Sequence, residues 1–187
     1  MYMYLRPGLL DFLEAASEIF ELILCNTCSE VYTRSVLEKL LDLLFIQKAS
    51  NNTKIDHIHE ADIRKYHGIE RKVYFDHVIC REQCSTNEKA HEIKNLEFFT
   101  DGESNRYIRD CIIVDNQVYC YQNQITNGLF VPNYNFSDTH DDWLPLLQKY
   151  LVERFGPNSV GKQSEDVRGV LCEDLRFEEI LNISRAS

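Results

Sequence analysis

Five polar residues stand at or between the ends of predicted strands, and their side chains suit a phosphoryl group. Asn26 and Thr27 follow the apolar stretch FELILC, Lys94 lies in HEIKNL, and Asp115 and Asn116 follow CIIV. A lysine and a small polar group can hold phosphoryl oxygens, and an aspartate can hold Mg²⁺. The spacing therefore indicates a phosphoryl site, provided that the fold brings these residues to one edge of a sheet.

Each of these residues also has an ordinary structural interpretation. An Asp-Asn pair at the end of a strand is typical of turn chemistry. A single lysine near a loop is usually solvated, and Asn-Thr can cap a helix. The residues by themselves leave both interpretations open.

The elements that must position these residues alternate between strands and helices, which predicts an α/β fold with a mostly parallel sheet and helices on both faces. In such sheets the ligand crevice lies beyond the carboxyl ends of the strands. Apolar spacing and turn residues predict strands over 1–5, 20–25, 72–80, 111–116 and 128–132, and helices over 9–20, 30–45, 141–155 and 164–181.

The chain is expected to form one domain over 1–155, followed by a linker and a helical tail over 156–187. Gly156, Pro157 and Gly161 mark the start of that linker, and the polar stretch 47–68 is predicted to be a loop or an insertion.

Composition excludes several classes of function. The net charge is −10, so direct binding to nucleic acid is not expected, because phosphate contacts need clustered Lys and Arg. No apolar run approaches the ~20 residues of a membrane span, and the amino terminus MYMYLRPG lacks the features of a signal peptide.

Seven cysteines favour a reducing compartment, and buried free thiols are favoured over a zinc site built from Cys25, Cys28, Cys80 and Cys84. We expect an intracellular protein of the nucleus or the cytoplasm.

The same residues lie in motifs that resemble a known family. Five motifs, in the family's order, are similar to those of the NLI-interacting-factor-like and small RNA-polymerase-tail phosphatases of the haloacid dehalogenase (HAD) superfamily, and EDVR at 165–168 is similar to members in single-celled eukaryotes. The motifs are the Arg-Pro-Gly start of RPGLLDFLEAASEIFELILCNTCSEVY with its later apolar strand, CREQC at 80–84, IKNL at 93–96, and IIVDN and TNG within 112–128.

The resemblance implies a protein serine/threonine phosphatase. In the family an aspartate of an Asp-x-Asp-x-Thr motif attacks the phosphate and forms an aspartyl-phosphate, a second aspartate serves as acid and base, and Mg²⁺ bridges carboxylates and phosphate. By position, Lys94 would balance charge on the phosphoryl oxygens, Asp115 would ligate Mg²⁺, and Asn116 would orient that carboxylate. Asn26 takes the place of the family's Ser/Thr, with Thr27 one position late.

This sequence departs from the family at the nucleophile. No Asp-x-Asp-x-Thr occurs in the 187 residues, and the family carries it on a strand before the Arg-Pro-Gly segment. The expectation is therefore a HAD-like Rossmannoid parallel sheet without its amino-terminal catalytic strand, truncated or degenerate, binding Mg²⁺ weakly. Either neighbouring strands close over the missing position, or the strand predicted over 1–5 or a strand from a partner fills it. The remaining alternative is a longer gene product that carries the motif upstream.

Two functional hypotheses follow. The first is a phosphatase domain of this family that acts on a phosphoprotein and is inactive as this chain. The alternative is a non-catalytic module that binds peptide segments, similar to the presequence-receptor subunit of the mitochondrial inner-membrane translocase, although a mitochondrial location is the less favoured one.

Overall fold

A computed structural model of the chain describes residues 3–49, 73–100, 106–138, 140–159 and 166–175. The chain forms two compact units, one of Met1–Glu82 with Tyr134–Gly161 and the other of Gln83–Asn133 with Lys162–Ser187. The helices span Leu9–Ser17 (α1), Glu30–Ala49 (α2), Trp143–Phe155 (α3) and Val167–Leu175 (α4); the strands span Ile23–Cys25 (β1), His77–Ile79 (β2), Ser85–Thr86 (β3), Glu92–Ile93 (β4), Ile113–Asp115 (β5) and Gly128–Phe130 (β6).

In the first unit, α1 begins at a glycine that the local geometry requires. Gly8 has a φ of 76°, in the left-handed region, and a Cβ there would lie 3.0 Å from Cδ of Pro145. From this start α1 buries Leu10, Leu13 and Ala16 at helical spacing and packs against α3. The four predicted helices are present, with the last described over 167–175.

The core of the first unit forms around Leu10, Leu13, Leu44 and Tyr74, which are all buried. Burial of these four side chains contributes several kcal/mol of hydrophobic stabilisation. It holds α1 and α2 against the segment that precedes β2, which carries Tyr74.

The two strands of the first unit are parallel, with Ile23 opposite His77 and Cys25 opposite Ile79. The backbone N–H of Asn26 continues this pairing and donates to the carbonyl of Ile79 at 2.9 Å. The carboxyl ends of both strands therefore lie side by side, as expected for a parallel pair.

The strand predicted over 1–5 is wrong for the described residues 3–5, which have no strand assignment. A strand needs a neighbour for its backbone groups, and the described strands pair elsewhere. Side chains hold this segment instead. The ring of Tyr4 stacks on Phe136 with a centroid distance of 5.1 Å, and Leu5 packs against the core.

The second unit contains the other two strand pairs. β3 and β4 form a short antiparallel hairpin, whereas β5 and β6 are parallel, with Asp115 opposite Phe130. Between β5 and β6 the chain forms a 3₁₀ segment over Val118–Asn127, which α4 packs against. The described residues therefore combine helices with small parallel sheets. This agrees with the predicted α/β class.

A close backbone approach fixes the 3₁₀ segment to β6. A Cβ built on Gly128 would lie 2.0 Å from Cε2 of Tyr121, whose ring is buried with Leu96 and Ile113. The neighbouring Asn127 donates from Nδ2 to the carbonyls of Ile108 and Cys111, at 2.7 and 2.8 Å. The Asn-Gly pair thus acts as a packing site here and not only as a turn.

The helices of the described residues include none that is both long and apolar enough to cross a membrane.

Candidate phosphoryl site

Asp115 ends β5 with a buried carboxylate. Its side chain is 3% exposed, and Oδ1 accepts a hydrogen bond from the backbone N–H of Gln117 at 2.8 Å. The backbone carbonyl of the same residue accepts from the N–H of Val131 at 3.1 Å, next to β6. The strand pair and the following turn therefore both fix the direction of this carboxylate.

Lys94 follows β4 and is the ionic partner of Asp115. Its Nζ donates to Oδ2 of Asp115 at 2.5 Å, and the lysine side chain is 18% exposed. Burying a carboxylate is costly unless it is paired and hydrogen-bonded, and here both oxygens have a donor. The structure thus brings together two of the predicted site residues, which lie 21 positions apart in the sequence.

A closed circuit of hydrogen bonds holds this pair in place. The backbone N–H of Lys94 donates to the carbonyl of Cys120 at 2.7 Å, and the N–H of Cys120 donates to the carbonyl of Gln117 at 2.9 Å. Gln117 in turn donates to Asp115, which accepts from Lys94. The backbone bonds of the circuit hold the two main-chain segments together, and the side chains of Lys94 and Asp115 close it.

Cys120 lies within this circuit but is not set up as a nucleophile. Burial, and then the negative charge of Asp115, raise the pKa of its thiol, and Lys94 opposes the effect. The reactive form of cysteine is the thiolate, so a raised pKa leaves Cys120 unreactive near neutral pH. All seven cysteines of the chain have free thiols.

Asn116 is exposed, and its Nδ2 donates to Oδ1 of Asn133 at 2.5 Å. The orienting contact to Asp115 comes instead from the backbone of Gln117, which sequence reasoning missed. The signal for it was available, because an aspartate that accepts from the N–H two residues ahead is the ordinary Asx turn. Asp115 can therefore form this turn and still present its carboxylate to Lys94.

Asn26 and Thr27 lie in the first unit, in the loop between β1 and α2. Oδ1 of Asn26 accepts from the N–H of Cys28 at 2.8 Å, so this side chain shapes its own turn. The carbonyl of Thr27 accepts from Nε of Arg81 at 2.9 Å, and the N–H of Arg81 donates to the carbonyl of Cys28. Arg81 therefore holds this loop, and the sequence alone did not reveal these contacts.

The same segment also caps α2. The carboxylate of Glu82 accepts from the N–H of Glu30, the first residue of the helix, at 3.2 Å. A negative group at this end is favourable because the first N–H groups of a helix lack internal partners. The CREQC motif thus has a clear structural role in fixing the loop that carries Asn26 and Thr27.

The donor set at Asp115 does not fit Mg²⁺ by itself. The ion favours one or two carboxylates with phosphate and water, and here the single carboxylate already accepts from two donors, one of them a cation. Within the described ranges, no group of three His, Cys, Asp or Glu side chains could hold a metal ion.

Comparison with known proteins decides the family. The family profile described as NLI interacting factor-like phosphatase matches residues 1–57 and 45–168 of the chain. The chain belongs to this family. Lys94 and Asp115 lie inside the second matched segment, and Asn26 and Thr27 lie inside the first.

One relative with a known name supports the assignment. The phosphatase PSR1 of Saccharomyces cerevisiae is 29% identical over 160 residues, which is 82% of this chain. The chain spans 28% of the length of that relative.

Proposed function

We propose that this NLI interacting factor-like chain carries the phosphoryl-binding part of a Mg²⁺-dependent protein serine/threonine phosphatase domain. The observation that supports this most strongly is the buried pair of Lys94 and Asp115 at the carboxyl end of β5. A buried cation held rigidly beside a carboxylate is an arrangement that a phosphoryl group exploits, since its oxygens replace the carboxylate as acceptors of the ammonium protons.

The proposed roles follow from what each side chain can donate or accept. Lys94 balances the charge of phosphoryl oxygens, and Asp115 would be one ligand of Mg²⁺ once those oxygens have replaced it as the acceptor for Lys94. Asn26, or Thr27 beside it, donates to a phosphoryl oxygen. Asn116 contributes through the turn that it shares with Gln117. The substrate in this proposal is a phosphoserine or phosphothreonine in a protein or peptide segment.

The proposed fold is HAD-like, with β1–β2 of the first unit and β5–β6 of the second unit each forming a parallel pair. Both parallel pairs support it, since the family expectation requires parallel strands at these positions.

The 187 residues contain no Asp-x-Asp-x-Thr motif, so we propose that this chain alone forms no aspartyl-phosphate. The test is Mg²⁺-dependent hydrolysis of an aryl phosphate by the 187-residue chain, for which we expect no turnover above buffer. Turnover that Asp115→Asn abolishes would place the nucleophile at Asp115 and contradict these roles. Calorimetry measures the affinity of the chain for Mg²⁺, which we expect to be low.

A second proposal is a non-catalytic module that binds peptide segments. The net charge of −10 favours it, because an acidic surface attracts basic segments. The two functions differ in one measurable respect. The phosphatase proposal requires a preference for phosphorylated over unphosphorylated peptide, whereas a simple peptide-binding module has none.

A further inference from the structure

Two exposed aromatic rings meet beside the Lys94–Asp115 pair, within the second unit. The rings of His91 and Tyr119 are 5.0 Å apart between centroids and tilted by 44°. Tyr119 is 42% exposed although it is large and apolar. Exposed aromatic pairs next to a charged site are suited to contact a partner's side chain.

The hairpin turn before β4 fixes the position of His91. Oδ1 of Asn87 accepts from the N–H groups of both Lys89 and His91, at 3.0 Å each, and the N–H of Asn87 donates to the carbonyl of His91. Ala90 adopts a φ of 58° to close this turn. His91 is therefore presented on a constrained backbone, three residues before Lys94.

The hydrogen-bond circuit of the site fixes the position of Tyr119. In the next residue, Cys120, the carbonyl accepts a hydrogen bond from the N–H of Lys94, and the N–H donates to the carbonyl of Gln117. The outer side of this turn exposes Val118 and Tyr119, each 42% exposed. The aromatic pair and the lysine are thus attached to the same hydrogen-bonded framework, His91 three residues before Lys94 and Tyr119 next to Cys120.

The charge around Tyr119 favours a cation. Partial burial, and then the charges of Cys120, Asp115 and Glu92, raise the pKa of the Tyr119 hydroxyl. Lys94 neutralises Asp115, so Glu92 is the carboxylate that adds negative charge near Tyr119, and the whole chain carries a net charge of −10. A tyrosine face in such surroundings attracts a guanidinium or ammonium group through its π-system.

We propose that the Tyr119–His91 pair contacts an arginine or lysine side chain that flanks the phosphorylated residue of the peptide bound at Lys94. The inference deepens the proposed function and rests on it for the placement of the phosphate. It makes the protein selective for phosphorylated segments with a basic neighbour, and it assigns this selectivity to residues outside the phosphoryl-binding set.

Fluorescence anisotropy with four labelled peptides for each flanking position tests the proposal. The peptides carry serine or phosphoserine, and arginine or alanine at each flanking position in turn, up to three residues away. At one flanking position or more, we expect arginine to tighten binding of the phosphopeptide by about two- to fivefold, the range of an exposed cation–π contact. Tyr119→Ala is expected to remove this gain, and Tyr119→Phe to keep it, because Phe retains the aromatic face.

Tyr107→Ala is the matched control, since Tyr107 is a tyrosine of the same unit with 49% exposure and is not a member of the hydrogen-bond circuit of the site. It is expected to retain the arginine gain. Equal affinity for the arginine and alanine phosphopeptides at every position, or an undiminished gain in Tyr119→Ala, would overturn the inference. A failed proposed function looks different: the phosphorylated and unphosphorylated peptides would then bind equally, whatever the flanking residue.

Discussion

The ammonium group of Lys94 lies 2.5 Å from the carboxylate of Asp115, and this contact joins the end of β4 to the end of β5. The two residues neutralise each other in a nearly water-free position, with side-chain exposures of 18% and 3%. A phosphoryl group arriving here has to compete with Asp115 for Lys94. The consequences for binding and stability can be measured.

Asp115→Asn should strengthen binding of a phosphopeptide. The amide keeps the size of the side chain and removes the negative charge that competes for Lys94 and repels phosphate. We expect the affinity to rise by about threefold or more, since a hydrogen bond to a charged group contributes roughly 1.5–3 kcal/mol. Anisotropy titration measures it, and weaker binding of this variant would show that Asp115 supports the phosphate directly.

The Arg6–Asp141 pair should contribute strongly to the stability of the first unit. Arg6 donates from Nε and Nη2 to the two carboxylate oxygens of Asp141, at 2.8 and 2.7 Å, and the side chains are 12% and 3% exposed. Asp141→Asn removes the negative charge of a carboxylate that accepts two hydrogen bonds from the largely buried arginine, so the free energy of unfolding should fall by about 3 kcal/mol.

Urea unfolding measures the loss, and two further variants calibrate it. Arg6→Met with Asp141→Leu should recover most of the stability, because no uncompensated charge remains. Arg34→Gln removes the exposed pair with Glu30 and should change stability by less than about 0.5 kcal/mol. An equal cost for Asp141→Asn and Arg34→Gln would contradict the burial of the first pair.

Two glycines of the second unit should respond in opposite directions to alanine. Gly128→Ala places a methyl group in the ring of Tyr121 and should destabilise the fold by about 3 kcal/mol through overpacking. Gly169 in α4 has no atom within 4 Å of a new Cβ, so Gly169→Ala should stabilise by about 1 kcal/mol through helix propensity. Thermal unfolding of both variants distinguishes these cases, and adding Tyr121→Leu should partly rescue the first.

Tyr74 should make stability fall at high pH. Burial, and then the negative charge and hydrogen bonding of Glu14, raise the pKa of Tyr74 to about 12 from its ordinary value of 10.0. A group with a raised pKa in the folded state contributes its full stabilisation below the unfolded value and loses it as pH rises through the folded value. The loss should therefore fall between about pH 10 and pH 12 and amount to about 2–3 kcal/mol. Urea unfolding of the wild type and Tyr74→Phe measures it, and identical pH profiles would contradict the shift.

The helices could be predicted from the sequence because their apolar spacing is strong and their ends carry clear signals. Gly8 and Pro145 show this at the starts of α1 and α3. The strand over 1–5 was wrong for residues 3–5, where the ring of Tyr4 stacks on Phe136 and the described strands pair with one another instead. Strand pairing is a tertiary property, so such a short apolar run cannot specify it.

The site was predictable in part. The types of Lys94 and Asp115 and their places after strands pointed to one location, and the structure brings them into contact. The donation from the N–H of Gln117 could have been predicted from the Asx turn of the Asp-Asn pair. The carbonyl of Cys120, which accepts from Lys94, could not, because it depends on a 3₁₀ path with no periodic apolar pattern. The roles assigned to Asn26, Thr27 and Asn116 remain predictions.

The most direct test of the central claim compares binding of a phosphoserine peptide with that of its serine counterpart, in the wild type and in Lys94→Met. We expect the wild type to prefer the phosphopeptide by about tenfold, as a charged hydrogen bond allows. Lys94→Met should lose the preference, Lys94→Arg should keep it, and Lys89→Met, which changes an exposed lysine of the same hairpin, should leave it unaltered. Because Lys94→Met strands a buried carboxylate, its fold is checked by circular dichroism, and Lys94→Met with Asp115→Leu serves as the stable equivalent. No preference in the wild type, or one that survives in both Lys94→Met variants, would contradict a phosphoryl site at Lys94.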